Sequence, residues 1–301
     1  MIAERRFVII GAGVVGRSLA AALGGQGARV VAVASRRIES AREAAALAGC
    51  PFATTDAVAA ARRGDVVVLS VPDDAIAAVC EQVAAGGGFQ RGAVVVHLSG
   101  ALGSQALAAA QASGASALAF HPIQTFARAD GRLFEGVTCV LEGDSEGAAL
   151  GMALAEFLGA RAVEIRAEDK ALYHAALCIA CNYFVTLADA GAGLLAEAGL
   201  GEAALPALLP LLRNALENLA RVGLPDALTG PISRGDLATV HAHLDALAAR
   251  APELLPLYRL VGLRTIGLAL RKGTVREARA DALRSLLGAP PASGLNAGSP
   301  L

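Results

Sequence analysis

Residues 7–16 of the chain are FVIIGAGVVG, an apolar run followed at once by three glycines in the spacing GxGxxG. The apolar run predicts a buried strand, and the residues after the glycines predict a helix. In that context the glycines allow a tight turn, close approach of the backbone to a pyrophosphate, and close packing of helix on strand. The stretch therefore predicts a dinucleotide-binding turn. Its predicted cofactor contacts are Gly11, Gly13, Val14, Val15 and Gly16.

Short β-branched runs alternate with alanine-rich stretches up to about residue 165, which is typical of a parallel sheet covered by helices. After residue 167 the pattern changes to long helical periods punctuated by proline and glycine. We predict an α/β fold, with a Rossmann-like, doubly wound, mostly parallel sheet over 1–166. An all-helical domain over 167–288 and a disordered tail over 289–301 follow. The predicted strands are FVII, VVAVA, VVVLS, VVVHLS, ALAF, TCVLEG and AVEI.

Composition narrows the class of partner. The 301 residues include 26 basic and 27 acidic side chains, a net charge of -1, without the basic face that nucleic acid requires. The long uncharged stretches are 92–127, which polar residues interrupt, and 175–188, which is too short for a bilayer and carries Asn182. We therefore expect no nucleic acid, no membrane and a small-molecule substrate.

The N-terminal residues and the cysteines indicate the cellular compartment of the protein. Arg5 and Arg6 before an apolar run imitate a secretory signal, but Arg17 interrupts that run. The five cysteines are an odd number spread through a long chain, which favours a reducing cytoplasm over a disulfide framework. We predict a cytoplasmic protein without a metal site, because no second cysteine pair or His/carboxylate cluster accompanies Cys178 and Cys181.

The second predicted strand ends in Ser35, Arg36 and Arg37 rather than in the acidic residue that accepts the ribose hydroxyls of NAD. A hydroxyl and guanidinium groups can donate to a 2′-phosphate, so this end favours NADP, or NADPH in its reduced form. The alternative is a solvated basic start to the next helix.

Three later strand ends are expected in the same crevice, because ligands of open α/β sheets bind at the carboxyl ends of strands. Val71 and Pro72 follow one strand, and Ser99 follows the next; all three are predicted cofactor contacts. His121, at the end of ALAF, is a predicted substrate contact. His97 lies within an apolar strand and is interpreted as a packed, hydrogen-bonded histidine.

Lys170, His174, Cys178 and Asn182 recur at helical i,i+4 spacing in the first helix after the sheet. Lysine is used only twice among the 26 basic residues, at 170 and 272. Because a buried lysine can give up a proton whereas arginine cannot, Lys170 is a candidate acid beside His174. Asn182 completes the predicted catalytic set. The alternative is a solvated lysine at a helix start, with a histidine and asparagine that satisfy backbone groups.

The segment LTGPISRGD, residues 228–236, joins two predicted helices. Arg234 could hold a substrate carboxylate in a bidentate pair, and Asp236 is placed in the same predicted substrate site. The alternative is a turn followed by a helix cap at Asp236.

The motifs GAGVVG, ASRR, LSVPDDAI, VVHLSGAL, AFHPIQTF, YHAALCIACNYFVTL, LTGPISRGD and TVHAHL together resemble predicted NADP-dependent oxidoreductases. That family joins a Rossmann-like domain to a C-terminal domain of unknown function, and it is related to ketopantoate reductase, pyrroline-5-carboxylate reductase and the β-hydroxyacid dehydrogenases. The resemblance implies a homodimer formed through the helical domain. It also implies roles for Lys170 and Asn182 like those of the lysine and asparagine of the β-hydroxyacid dehydrogenases, although the spacing here is wider.

Together these features predict an NADPH-dependent oxidoreductase that reduces a small carbonyl or imine compound. The predicted substrate carries a carboxylate, as a 2-keto acid such as ketopantoate does. Two alternatives stay open: a dehydrogenase of the prephenate type, whose strand-end His-Pro is similar to His121 and Pro122, and a non-enzymatic NADPH-binding sensor or scaffold.

Overall fold

The structure is a computed structural model that describes residues 2–288. The predicted tail, 289–301, lies outside the described residues. By their internal contacts the residues form two compact units that divide between Ala180 and Cys181. This division lies later in the chain than the boundary at 166/167 that the change of pattern predicts. The helix that opens the helical half therefore belongs to the first unit.

The first unit is built on one eight-stranded sheet in the order β3-β2-β1-β4-β5-β6-β7-β8. All neighbouring strands are parallel except β6 and β7, which are antiparallel. The predicted mostly parallel, doubly wound sheet is thus confirmed. The strands are β1 (Arg6–Ile10), β2 (Arg29–Ala34), β3 (Ala53–Thr54), β4 (Val66–Leu69), β5 (Val94–His97), β6 (Ser116–Pro122), β7 (Thr138–Gly143) and β8 (Arg161–Glu164).

Helices connect these strands and cover the sheet. The helices of this unit are α1 (Val14–Gly25), α2 (Ile38–Leu47), α3 (Ala57–Ala61), α4 (Asp73–Ala85), α5 (Ala108–Ala112), α6 (Ser145–Phe157) and α7 (Lys170–Leu177). Along β1 the side chains of Phe7 and Ile9 join one apolar core, and those of Val8 and Ile10 join another. All four are buried, so the strand is covered on both faces, as its unbroken apolar sequence requires.

The sheet reverses its winding at β1, which pairs with β2 on one side and with β4 on the other. The connections that follow β1 and β4 leave in opposite directions at such a point, and a crevice opens between the carboxyl ends of the two strands. Gly11 and Ser70 directly follow those ends. The fold therefore places the GxGxxG turn at the position where doubly wound sheets bind nucleotides.

The second unit is helical. Its helices are α8 (Tyr183–Leu195), α9 (Ala204–Val222), α10 (Leu237–Arg250), α11 (Leu255–Lys272) and α12 (Glu277–Leu286). Its apolar core forms between α10, α11, α12 and the segment before α10, with Ile232, Leu244, Ile266 and Leu283 among its members. No side chain of α8 and only Ala204 of α9 is buried. Much of the apolar surface of these two helices is therefore uncovered.

One helical stretch, Ala167–Val222, is long and apolar enough to cross a membrane by length and composition, and its most apolar window has no buried residue. The uncharged run 175–188, which is too short for a bilayer, ends before Asp189. The helical stretch is longer because it continues past Asp189 to Val222. Gly199 has a φ of 107°, outside the helical range, and divides the stretch into two helices.

Candidate active site

Glycine suits the three positions of the GxGxxG motif for different structural reasons. A Cβ on Gly11 would lie 2.1 Å from the main-chain oxygen of Ser70, and a Cβ on Gly16 would lie 2.1 Å from the main-chain oxygen of Gly11. Gly11 also has a φ of +107°, a backbone angle that residues with a side chain rarely adopt. A Cβ on Gly13, in contrast, would meet no atom within 4 Å. The protein's own packing requires Gly11 and Gly16, while Gly13 keeps a space open at the start of α1.

That open space suits an anion. Val14, Val15 and Gly16 form the first turn of α1, whose N–H groups have no partner within the helix, and no acidic residue occupies this turn. A cavity of about 620 Å³ lies along the crevice. Its walls include the predicted cofactor contacts Gly11, Gly13, Ser35, Arg36, Val71 and Pro72. The residues therefore fit the pyrophosphate of a dinucleotide at this turn.

A second cavity, of about 460 Å³, opens at the end of β2. Its lining includes Ser35, Arg36, Arg37 and Ser40, and no carboxylate is among its described lining residues. Arg36 and Arg37 are exposed, and Arg37 donates to Ser40 Oγ at 3.1 Å. Hydroxyl and guanidinium donors without a carboxylate fit the 2′-phosphate of NADP, whereas the carboxylate that accepts from the free ribose hydroxyls of NAD is missing from the described part of this lining.

Ser99 organises the loop that follows β5. Its hydroxyl donates to Asp73 Oδ2 at 2.7 Å and accepts the main-chain N–H groups of Ala101 and Leu102, both at 3.1 Å. The residue is only 6% exposed. The Ser99 side chain, which the sequence predicts as a cofactor contact, is thus hydrogen-bonded to its own loop and to the first turn of α4.

His97 is fully buried, as predicted. Its Nδ1 accepts the N–H of Ser99 at 3.2 Å, and its Nε2 lies 3.0 Å from the main-chain oxygen of Gly103. This arrangement selects the neutral tautomer with the proton on Nε2. Burial lowers the pKa of His97, so the ring stays neutral and holds both ends of the loop. The same loop is held from β7 by Glu142, which accepts from the N–H and the hydroxyl of Ser104 at 2.5 and 2.7 Å.

Lys170 is the first residue of α7 and is 4% exposed. Its Nζ donates to the main-chain oxygen of Ser99 at 3.3 Å. Burial lowers the pKa of Lys170, while the carboxylates of Glu142 and Asp73 raise it. The alternative interpretation of a solvated lysine at a helix start is therefore wrong, because the ammonium lies behind the loop that follows β5.

His121 lies near the end of β6 and contacts a residue that the sequence did not indicate. Its Nδ1 is 2.5 Å from the hydroxyl oxygen of Tyr173, and the two rings meet edge to face with centroids 5.7 Å apart. Burial, followed by the charges of Lys170 and His174, lowers the pKa of His121 to about 4. Burial raises the pKa of Tyr173. At neutral pH both groups are uncharged.

Gly100 brings these rings together with His174. A Cβ on Gly100 would lie 2.8 Å from His121 Cε1, His121 Nε2 and His174 Cδ2. The ring centroids of His121 and His174 are 6.4 Å apart, and His174 Nδ1 lies 3.9 Å from the Cys178 sulfur. The ends of β5 and β6 and the first turns of α7 therefore form one polar cluster, which we call the His121 cluster: Gly100, His121, Lys170, Tyr173 and His174.

Replacement of Gly100 by alanine is expected to push apart the two imidazoles. Because a displacement of about 1 Å at reacting groups can cost about 100-fold in rate, turnover should fall by about that factor while NADPH binding is kept. Steady-state kinetics and nucleotide titration would measure both quantities. Gly25→Ala is the matched control, since a Cβ there meets no atom within 4 Å and turnover should be unchanged. Full activity of Gly100→Ala would contradict the role of this contact.

The remaining predicted site residues belong to the second unit. Asn182 is exposed and ends the π-helical turn Cys178–Asn182, in which hydrogen bonds span five residues. The i,i+4 spacing used in its prediction therefore does not hold there. Asp236 accepts the N–H of Thr239 at 3.1 Å and its hydroxyl at 2.6 Å, so it caps α10, which is the alternative that the sequence left open. Arg234 is exposed in the preceding 3₁₀ turn.

Metal-binding side chains do not cluster in the described part of the chain: residues 2–288 contain no group of three or more His, Cys, Asp or Glu side chains arranged to hold an ion.

Residues 2–122 match the family model of a Rossmann-like domain, and residues 137–265 match that of a domain of unknown function, DUF2520. These matches confirm the two types of domain that the resemblance implied. The sequence matches no curated protein significantly.

Solved structures agree with this fold. A Bacteroides fragilis protein named as an NADP oxidoreductase is 27% identical, with 89% of this chain and 100% of that chain covered and a TM-score of 0.69. A Thermotoga maritima protein is 24% identical, with 93% and 98% covered and a TM-score of 0.62. An imine reductase from Myxococcus stipitatus, solved with NADP⁺, is 20% identical, with 89% and 94% covered and a TM-score of 0.58. The name of the first agrees with the predicted NADP-dependent oxidoreductase, and the other two agree with the fold.

Proposed function

We propose that this chain is an NADPH-dependent reductase of a small carbonyl or imine compound that carries a carboxylate. The observation that carries the proposal is the pairing, within one unit, of a nucleotide crevice lined by Arg36 with the His121 cluster. β4, β5 and β6 are neighbours in the sheet, so their carboxyl ends share one edge with the crevice. Ligands of such sheets bind at this edge, which supports a nucleotide bound beside the proposed proton-transfer groups.

The division of chemistry follows from the residues. NADPH, when bound, supplies a hydride to the carbon of the substrate, and the chain must deliver a proton to the oxygen or nitrogen. Lys170 and His174 are the two candidate donors. Burial lowers the pKa of Lys170 towards the working pH, which improves an ammonium group as a general acid. Lys170 also donates to the main-chain oxygen of Ser99, which fixes the loop that contains Ser99 and Gly100. Lys170 therefore has a second role, because it supports the geometry of the His121 cluster.

The substrate is proposed to be a short 2-keto acid, with ketopantoate as the leading example. A guanidinium binds a carboxylate through two parallel hydrogen bonds, and the exposed Arg234 is the proposed partner for it. Asn182 keeps its predicted role of orienting the reacting group, and Asp236 acts by fixing the start of α10 beside Arg234.

The test is a survey of NADPH oxidation by the purified chain with ketopantoate, other short 2-keto acids and cyclic imines, each paired with NADH. Turnover of at least one compound with NADPH preferred is the expected result. Tight NADPH binding without turnover of any compound would overturn the proposal and favour the sensor or scaffold.

The dehydrogenase alternative keeps one observation in its favour, because His121 and Pro122 close β6 at the same edge of the sheet. The same survey separates the two functions when it includes NADP⁺ with cyclic hydroxy acids of the prephenate type. Turnover only in that oxidative direction would replace the reductase proposal.

We also propose a cytoplasmic homodimer, formed when a second copy covers the apolar faces of α8 and α9. Monomers rarely expose apolar patches of this extent. The large exposed residues of the two helices are Tyr183, Val185, Leu187, Leu205, Leu209, Leu211, Leu216, Leu219 and Val222.

Sedimentation velocity is expected to give twice the mass of the chain for the wild type. Leu211→Glu with Leu216→Glu should give a monomer, because two charges cannot be buried in an apolar interface without partners. Leu47→Glu, at a comparably exposed leucine of the first unit, should stay dimeric. Binding of the wild type to lipid vesicles in place of dimerisation would contradict the proposed partner.

A further inference from the structure

The two ring nitrogens of His121 have different surroundings. Nδ1 lies 2.5 Å from the hydroxyl oxygen of Tyr173. The opposite Cε1–Nε2 edge faces Gly100, which leaves it free of any side chain on that residue. Whatever Tyr173 does to Nδ1 therefore decides which nitrogen carries the proton of the neutral ring.

Chemistry selects the direction of the hydrogen bond. A neutral imidazole has one N–H donor and one strongly basic nitrogen, whereas a phenol has an acidic O–H and a weakly basic oxygen. The stronger pairing is O–H of Tyr173 donating to Nδ1 of His121. The proton of the imidazole then resides on Nε2, at the edge that faces Gly100.

We propose that Tyr173 is a positioning residue that holds His121 as the neutral Nε2–H tautomer, so that His121 donates a hydrogen bond to the substrate's carbonyl oxygen. This inference rests on the proposed reductase function and deepens it. In the reaction the hydride adds to the carbonyl carbon, the π electrons move to oxygen, and Lys170 or His174 delivers the proton to that oxygen. His121 keeps its own proton throughout and polarises the carbonyl group.

The charged and titratable groups around His121 keep it neutral. Burial is the largest cause that lowers its pKa, followed by Lys170 and His174; Asp73 raises the pKa by less than either of these two, and His97 adds the smallest lowering. The Lys170 ammonium also lies 5.7 Å from the centre of the Tyr173 ring. With a pKa of about 4, His121 is uncharged throughout the range in which an ordinary histidine titrates.

A neutral donor also narrows the class of substrate. An N–H group can bind a carbonyl oxygen or an unprotonated imine nitrogen, since both have a lone pair. A protonated iminium nitrogen has none, so it cannot accept this hydrogen bond. The arrangement therefore favours 2-keto acids over cyclic imines that are protonated at the working pH.

The test has a readout that does not depend on activity. In protein labelled with ¹⁵N-histidine, long-range ¹H–¹⁵N spectra distinguish the two neutral tautomers, and His121→Gln identifies the signals of His121 among those of five histidines. The expected result for the wild type is Nε2–H at neutral pH with a titration midpoint near 4. In Tyr173→Phe both tautomers should be populated, and the midpoint should move upwards because the neutral ring loses the hydrogen bond from the Tyr173 hydroxyl.

Kinetics complete the test. Tyr173→Phe is expected to lower the turnover number about tenfold through misorientation of His121, with NADPH binding unchanged. Tyr258→Phe is the matched control: Tyr258 contacts His243 in the same way, with 2.9 Å between oxygen and nitrogen, and turnover should stay unchanged.

An Nδ1–H tautomer in the wild type, or an unchanged tautomer in Tyr173→Phe, would overturn the inference even if the enzyme is active. The predicted tautomer together with no turnover of any keto acid would support the positioning of His121 and overturn the reductase function instead. The two failures are therefore distinguishable.

Discussion

Replacement of Lys170 by methionine is expected to lower the turnover number at least about 100-fold, the contribution typical of a positioned general acid. Methionine keeps an unbranched apolar stem of similar length but has no ammonium. The substitution removes the donor to the main-chain oxygen of Ser99 and one of the charges that hold His121 neutral. The pKa of His121 should therefore rise in the variant. Steady-state kinetics and histidine titration by NMR would measure the two effects.

Lys272→Met is the matched control, at the other lysine of the chain. Its Nζ also donates to main-chain oxygens, those of Asp226 and Leu228 at 2.8 and 2.7 Å, in the second unit. Its loss is expected to affect stability and to leave the pKa of His121 unchanged. If Lys170→Met retained wild-type turnover, the proton-donating role would pass to His174, and the electrostatic account of the cluster would be wrong.

Replacement of Arg36 by glutamate is expected to weaken NADPH binding at least about 100-fold and to change NADH binding by less than about threefold. A hydrogen bond to a charged group contributes roughly 1.5–3 kcal/mol, and each 1.4 kcal/mol corresponds to about a tenfold change in affinity. The glutamate in addition repels the 2′-phosphate, which NADH does not have. The chain has no tryptophan, so the fluorescence of the reduced nicotinamide reports binding directly.

Arg91→Glu makes the same change of charge at an exposed arginine away from both cavities, and it should leave both affinities unchanged. An equal loss of NADPH and NADH affinity in Arg36→Glu would show that Arg36 does not contact the 2′-phosphate. The assignment of NADP by the end of β2 would then fail.

The sheet could be predicted because its signals are local. In β1 the unbroken apolar run of Phe7 to Ile10 reports burial on both faces, and the GxGxxG spacing reports the turn that must follow. The two-residue β3 could not be predicted, since Ala53 and Thr54 form a strand only because β2 offers an unpaired edge. Similarly, β5 ends at His97 rather than at Ser99, and the main-chain N–H of Ser99 donates to the ring of His97 instead of to a neighbouring strand.

The cluster was predicted in part. His121, Lys170 and His174 were found from strand ends, residue usage and helical spacing, all of which are visible along the chain. Tyr173 gave no such signal: its importance arises from a contact with His121, 52 residues earlier, that only the packing of α7 against β6 creates. The burial of Lys170 beneath the Ser99 loop is likewise a tertiary effect. The feature of the sequence that indicated it is the use of lysine at 170, in a chain whose other basic residues, apart from Lys272, are all arginine.

Hydride transfer is the central claim, and deuterium tracing tests it most directly. The purified chain would be incubated with NADPH deuterated at the transferable position and with a mixture of short 2-keto acids that includes ketopantoate. Mass spectrometry would then follow the products. One deuterium on the former carbonyl carbon of a hydroxy acid is the predicted result. Bound NADPH that keeps its deuterium with every compound would contradict the account and leave a nucleotide-binding protein without reductase activity.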